Sequence, residues 1–456
     1  MTVARATGGV LAGVELERDG RDPSWLSEAR LNALDWVGRH GFPTHKDEDW
    51  KYTALGPILA LPFDAATATS ATATSATATS GTVVSGSRVS AALIDEAAVD
   101  LGGPRLVFVN GHFAAEFSRV TGLPSGAVVT TLAAVLAAGP DRLEPFFAHT
   151  PGARHAFAAF NDALAEDGAF IHLTSATIVE QPIQLVFFSD TGGIPLISSP
   201  KSVIIADPGS RATIVETYAG IDTDVYCTNA VTELVLAEDA QIEHYKVQNE
   251  PVTAFHVALL SVRQGRNSHF SSRSVMLGGS IARHEVRVLL DGSGAEVSLD
   301  GVYLPQGDQL HDNTIFVDHV ATNTTSHQLY KGVLDGRSHG VFNGRIMVRH
   351  GADGTDANQK NKNLLLSDRA EVDTRPRLEI YTDDVKCTHG AAVGQMDDEA
   401  ILYLRARAIP LEDARGLLIY AFVHEMVDRI ELEPLRAQLE RVVATRFANG
   451  AGQVGQ

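Results

Sequence analysis

Residues 212–247 read "ATIVETYAGIDTDVYCTNAVTELVLAEDAQIEHYKV". The runs ATIVETY, ELVLA and QIEHYKV are rich in β-branched and aromatic residues and too short for helices, and Gly, Asp and Asn separate them. A small residue, a polar one and then an apolar one occur together at Ala212 and at Ala240. The same triplet returns at Ser268 and Ala295, giving spacings of 28, 28 and 27 residues. Steady strand–turn spacing without intervening helices predicts a stacked β architecture, a β-helix or solenoid. A doubly wound sheet needs crossover helices that this stretch does not contain. A β-sandwich is the alternative that the spacing leaves open.

The same texture extends over residues 169–395, through AFIHLT, QLVFF, SVIIA, HFSSRSVML, HEVRVLL, AEVSLDGVYL, GVFNGRIMV and RLEIYT. Residues 1–168 form a mixed region. Its first helix is expected over 22–41, with Asp22 as cap, Pro23 in the first turn, Gly41 as stop and Trp25, Ala29, Leu34 and Val37 on the apolar face. Trp50 and Tyr52, in PTHKDEDWKYTAL, read as packing aromatics. Residues 66–80 are three copies of ATATS; with nothing large to bury they read as a loop or linker. RLVFVNGHFAAEF, at 105–117, carries the Asn-Gly signal of a hairpin. ARHAFAAFNDALAED, at 153–167, reads as an amphipathic helix stopped by Gly168. Residues 396–456 form a C-terminal helical module of three helices, expected to close an open end of the core or to dock another protein.

A chain of 456 residues suggests two or three domains. The formal net charge is −19 with no run of Lys or Arg, so no nucleic-acid or anionic membrane surface is expected. Only two cysteines occur, Cys227 and Cys387, which points to a reducing compartment, the cytoplasm. The first twenty residues hold no sustained apolar run, and no stretch of about 18 apolar residues occurs. No membrane span or signal segment is expected.

Cys387 and His389 lie one residue apart in DDVKCTHG (383–390), so on a strand both face one side. A free thiol is only roughly 3% thiolate at pH 7, and a nearby imidazolium raises that fraction. Both groups can ligate soft or borderline metals; a buried Cys with an unrelated neighbour is the alternative. An iron–sulfur cluster wants about four protein ligands, more than this chain offers in one place, so such a site would have to be completed by another subunit. His311, His319 and His327, eight residues apart, are a weaker metal candidate. HEMVD (424–428) has Asp428 where a zinc-binding helix needs its second His. No phosphate-binding loop is readable, so the chain is not expected to hydrolyse ATP.

The stretch "GADGTDANQKNKNLLLSDRAEVDTRPRLEIYTDDVKCTHGAAVGQMDDEAILYLRARAI" (351–409) resembles the SufB/SufD family of SUF iron–sulfur cluster assembly, and KCTHG resembles its SufD branch. QLYKGVLDGRSHGVFNGRIMV (328–348) and PTHKDEDWKYTAL extend the likeness. The resemblance implies a right-handed parallel β-helix with flanking helices, and a non-enzymatic scaffold subunit. It implies a heterodimer with a SufB-like subunit and recruitment of a SufC-like ATPase through the C-terminal helices, around Leu402, Arg405, Ile409, Leu418 and Phe422. A homodimer is one form open to the chain in isolation. His389 is implied in cluster assembly at the shared interface, with Cys387 beside it. The cluster would be transient cargo shared with the SufB-like subunit, and no cofactor would be tightly held. Reduced flavin is associated with the family's complex, though no flavin motif is readable here. Two departures stand out: TNTTSHQLYKG carries Thr where the family often has Cys, and RARAI has Ala408 where it has Gly. A polysaccharide-acting β-helix enzyme and a self-contained metal enzyme are the rival functions.

Overall fold

The computed structural model describes residues 22–66, 88–147 and 155–448; the ATATS repeat, apart from Ala66, lies outside them. From Lys201 onward the chain alternates between two sheets, each strand pairing in parallel with the strand two positions along. The first sheet runs through Lys201–Ala206, Tyr226–Leu236, Phe255–Gln264, Ile281–Leu290, Leu310–His319 and His339–Val348 to Glu371–Ile380. The second runs through Arg211–Gly220, Gln241–Gln248, His269–Met276, Glu296–Tyr303, Thr325–Leu334 and Thr355–Leu365 to Val385–Gln395. The result is a β-solenoid of about 8 turns, as the strand–turn spacing predicts. Antiparallel pairs cap its N-terminal end: Ala127–Thr131 with Ala169–Leu173, and Arg105–Val109 with His112–Phe113 across the Asn110-Gly111 turn.

The physical repeat is sharper than the triplet. One residue per coil is held at positive φ before the second sheet's strand begins: Gly209, Asp239, Asn267, Gly294, Asn323 and Gly354. Gly, Asn and Asp tolerate that conformation best. The next residue is small and buried, as at Ser210, Ala240, Ser268, Ala295 and Thr324. The backbone ladder runs through these positions, with the N–H of Gln241, His269, Glu296 and Thr325 each donating to the small residue one coil back. The counterpart of Ala240 is therefore Ser210, not Ala212, whose partner is Ile242.

Register stacks like on like. Ile242, Phe270 and Val297 form one column inside the main core, where each buried side chain contributes about 1.5–3 kcal/mol. Residues of opposite phase, such as Val247, Val275 and Val302, point out of the second sheet. They pack under Ile419, Val423, Met426, Leu435, Leu439 and Val443 of the helices Leu411–Val427 and Glu433–Ala448. The C-terminal helices thus cover a sheet face and do not close the solenoid's end, because their apolar stripe matches this outward column.

Two local expectations change. The first helix is Ser24–His40, and Pro23, not Asp22, occupies its N-cap. Leu26 joins Ala33, Leu34 and Val37 on its buried side, while Trp25 and Ala29 are only half-buried. The helix Ala156–Leu164 has no solvent face: Ala156 through Ala163 are all buried, packed with the N-terminal helix and the first sheet. Trp50 packs as expected, stacked on Phe157 with ring centroids 5.6 Å apart. Among the described residues no helix is long and apolar enough to cross a membrane.

Candidate functional site

The last coil consists of Glu371–Ile380 and Val385–Gln395, the final strands of their sheets. Each has one ladder neighbour and one free edge. In the second sheet Ala357 pairs with Cys387 and Gln359 with His389. Ala357 and Gln359 are buried in the solenoid interior, so the pleat turns Cys387 and His389 the same way. Both side chains face inward at the open end, and the shared facing expected from DDVKCTHG holds. Lys386 and Thr388 face out, where Thr388 accepts from Asn358 Nδ2.

The two residues rest on different floors. Cys387 sits half-buried against Ile346, Val348, Ala352 and Ala357, with Leu378 of the opposite strand on the same apolar cluster. Behind His389 lies an amide column in which Gln359 Nε2 donates to Gln328 Oε1 at 2.8 Å. Among the described residues no further coil covers His389, Ala391 and Val393, and all three are exposed. Burial pushes the Cys387 thiol up, and the Asp356 carboxylate adds to that, against a backbone hydrogen bond from Ala357. Activation of this thiol by its histidine neighbour, expected from spacing, is therefore not what the surroundings do. A soft metal would instead have to displace the proton. The other thiol, Cys227, is fully buried in the N-terminal core and pushed far up by burial.

The other candidates separate. His311 and His319 lie on one strand, eight residues and thus about 26 Å apart. His311 Nε2 is 3.0 Å from the Gly278 carbonyl, and His319 bonds Thr324 and Ser326. His327 belongs to the other sheet and is exposed. Among the described residues no three His, Cys, Asp or Glu side chains are grouped to hold a metal ion. In HEMVD, His424 pairs with Asp428 at 3.2 Å across one helical turn.

On the C-terminal module, Leu402 and Arg405 are exposed and Ile409, Leu418 and Phe422 half-buried. Phe422 packs toward the solenoid: its carbonyl accepts from Lys331 Nζ at 2.7 Å, and the ammonium lies 5.0 Å from its ring centre. Sequence reasoning did not single out Tyr403 and Leu411, which are large and exposed, as Leu417 is too. It also missed a groove of about 410 Å³ between the two long helices, lined by Gly416, Leu417, Tyr420 and Val443. The phase of the buried stripe Ile419, Val423, Met426 and Ile430 would have placed Leu417 outside.

The family model of the SUF system FeS cluster assembly SufBD core domain matches residues 187–422. That of the SufBD protein N-terminal region matches residues 99–185. An iron–sulfur cluster assembly SufBD family protein of Synechocystis sp. is 30% identical over 437 residues, 94% of this chain and 92% of the relative. The iron–sulfur cluster assembly protein SufD of Escherichia coli is 28% identical over 420 residues, 92% of both chains. The SufD protein of Bacillus subtilis is 28% identical over 292 residues, 63% of this chain and 66% of its own length. With the solenoid, the KCTHG strand and these matches in agreement, the chain belongs to the SufB/SufD family of the SUF iron–sulfur cluster assembly system.

Proposed function

We propose that this chain is a non-catalytic scaffold subunit that pairs through its open end with a SufB-like subunit, sharing one assembly site across the junction. The observation that carries this reading is the inward-facing pair Cys387 and His389 on a coil that no further coil covers among the described residues. Two strands of 10 and 11 residues leave rows of unpaired N–H and C=O groups at that end. Such edges are templates for strand addition by another chain. An iron–sulfur cluster is the cargo here. His389 would supply a ligand or accept a proton, Cys387 would be an auxiliary thiol, and the partner would contribute the remaining donors. Outside such a pair, the same edges can also join two copies of this chain as a homodimer.

Recruitment of a SufC-like ATPase is the second half of the proposal. Exposed Leu402, Tyr403 and Leu417, with Arg405 on the same helical module, supply its docking surface. ATP-driven association of two such ATPases would then pull on both solenoids and open their junction. The free thiols of Cys227 and Cys387 suit work in the reducing cytoplasm.

The test is co-expression of the His389→Ala variant with SufB-like and SufC-like subunits, followed by anaerobic purification and iron and sulfide analysis. An assembled complex with defective cluster formation is expected. A normal cluster yield removes His389 from the mechanism, and a complex that fails to assemble makes the residue structural.

A further inference from the structure

Residues 44–53, within PTHKDEDWKYTAL, take no part in the solenoid ladder or the site, yet they cross four successive strands on the outer face of the first sheet. One end is an anchor. Trp50 is only 4% exposed, and the Arg283 guanidinium lies 3.8 Å from its ring centre. Arg283 Nη1 also donates to the Asp49 carbonyl at 3.0 Å, and the Thr53 hydroxyl donates to the buried Asp312. Arg283 and Asp312 stand on Ile281–Leu290 and Leu310–His319, both well inside the solenoid. The other end reaches toward the opening. Asn343 Nδ2 donates to Asp49 Oδ1 at 3.3 Å, Arg377 Nη2 donates to the same oxygen at 3.0 Å, and Glu48 pairs with Arg375.

Arg375 and Arg377 alternate on Glu371–Ile380 and so project from one face of it. This is the strand with a single ladder neighbour, and its inner face meets no further coil. On its outer face Asp373 pairs with His339 at 2.8 Å and Glu379 with Arg345 at 2.7 Å, both on the neighbouring strand. Among the described residues, Glu48 and Asp49 tie its outer face to a segment from outside the solenoid, while on the inner face Leu378 joins the cluster of Ile346, Ala357 and Cys387. The anchor is buried, with the Arg283 charge paired to Asp312, whereas the tip is charged and partly exposed. The tip is therefore the part that salt screens and that can release while the anchor holds.

We infer that Glu48 and Asp49 form a clip that holds the last strand of the first sheet in register, keeping its free edge set for strand addition by a partner subunit. They are positioning residues acting through Arg375 and Arg377, and the purpose assigned to them rests on the pairing reading above.

The experiment uses the full chain carrying Glu48→Gln and Asp49→Asn, with amide hydrogen exchange followed at residues 371–380 and 255–264. Loss of these partly exposed ion pairs should speed exchange at 371–380 by about three- to tenfold and leave 255–264 unchanged. The wild-type chain in molar salt should shift the same way. Exchanging the charges, Glu48→Arg with Arg375→Glu, should restore slow exchange. Unchanged exchange at 371–380, or an equal rise in both segments, overturns the clip. Association with a SufB-like subunit is measured separately: weaker binding by the double variant supports the assigned purpose. A wild-type chain that does not associate sinks the pairing reading, while the exchange result still decides the clip.

Discussion

The coil built from His269–Met276 and Ile281–Leu290 and the coil built from Glu371–Ile380 and Val385–Gln395 share one pleat, one parallel register and one alternation of inward and outward residues. They differ in neighbours. In the central coil Phe270 is buried in the lumen, Val275 lies under the C-terminal helices, and both edges of every strand are paired. In the last coil one edge of each strand is free and the inner face looks into open space. Side chains there shrink to Gly390, Ala391, Ala392 and Gly394, and a Cβ added at either glycine would touch nothing. The comparison teaches that exposure at this end is not a failure of the β pattern. The same hydrogen-bonding and burial capacity that holds the centre together is left unused at the rim, where a second polypeptide can take it up.

The largest test of that contrast removes side chains at each end of it. Phe270→Ala should cost about 3–5 kcal/mol by emptying the lumen, read as a collapse of the denaturant midpoint. Val393→Ala, at a residue 48% exposed, should change the lone chain's stability by less than about 0.5 kcal/mol while weakening association with a SufB-like subunit. Equal effects on stability would mean that the last coil is packed as tightly as the centre.

Acid sharpens the comparison next, because the groups that resist protonation lie in covered regions. Burial holds His155 and His319 down to about 4, below the ordinary histidine value of 6.5. Between pH 6.5 and 4 the unfolded chain binds protons that the folded chain refuses, so stability falls as pH drops through that window. Each group contributes on the order of 3 kcal/mol across it. Thermal midpoints measured from pH 7 to 4.5 should fall, and His155→Gln should flatten the slope. A slope untouched by that substitution would place the acid-sensitive groups elsewhere.

The smallest effect is expected where the helical module begins. Ala408 sits at φ 60°, just past the helix Asp398–Arg405, with its N–H donating to the Arg405 carbonyl. A left-handed alanine costs about 1 kcal/mol, so Ala408→Gly should stabilise this helix end by about 0.5–1 kcal/mol, seen as slower amide exchange over residues 398–405. No change would mean that the segment leaves this conformation in solution. The departure from the RxRGI pattern thus has a definite backbone consequence.

What residue order alone determined is local and periodic. Strand length, a coil of about 28 residues, the Asn110-Gly111 hairpin and the shared facing of Cys387 and His389 follow from turn chemistry and a side-chain period of two, both readable without neighbours. The KCTHG stretch carried the family likeness for the same reason, as a run of specific residues on one strand. What only the tertiary structure decided is phase and coverage. In QIEHYKV a period of two offers two faces, and packing alone sends Ile242 into the lumen and Tyr245 under the C-terminal helices. The helices' choice of a sheet face over the open end, the solvent around His389, the raised Cys387 thiol and the reach of Glu48 to Arg375 across 327 positions are equally invisible in the string. Burial and electrostatics depend on what lies within a few ångströms, and in a solenoid those neighbours come from other coils and from distant segments of the chain.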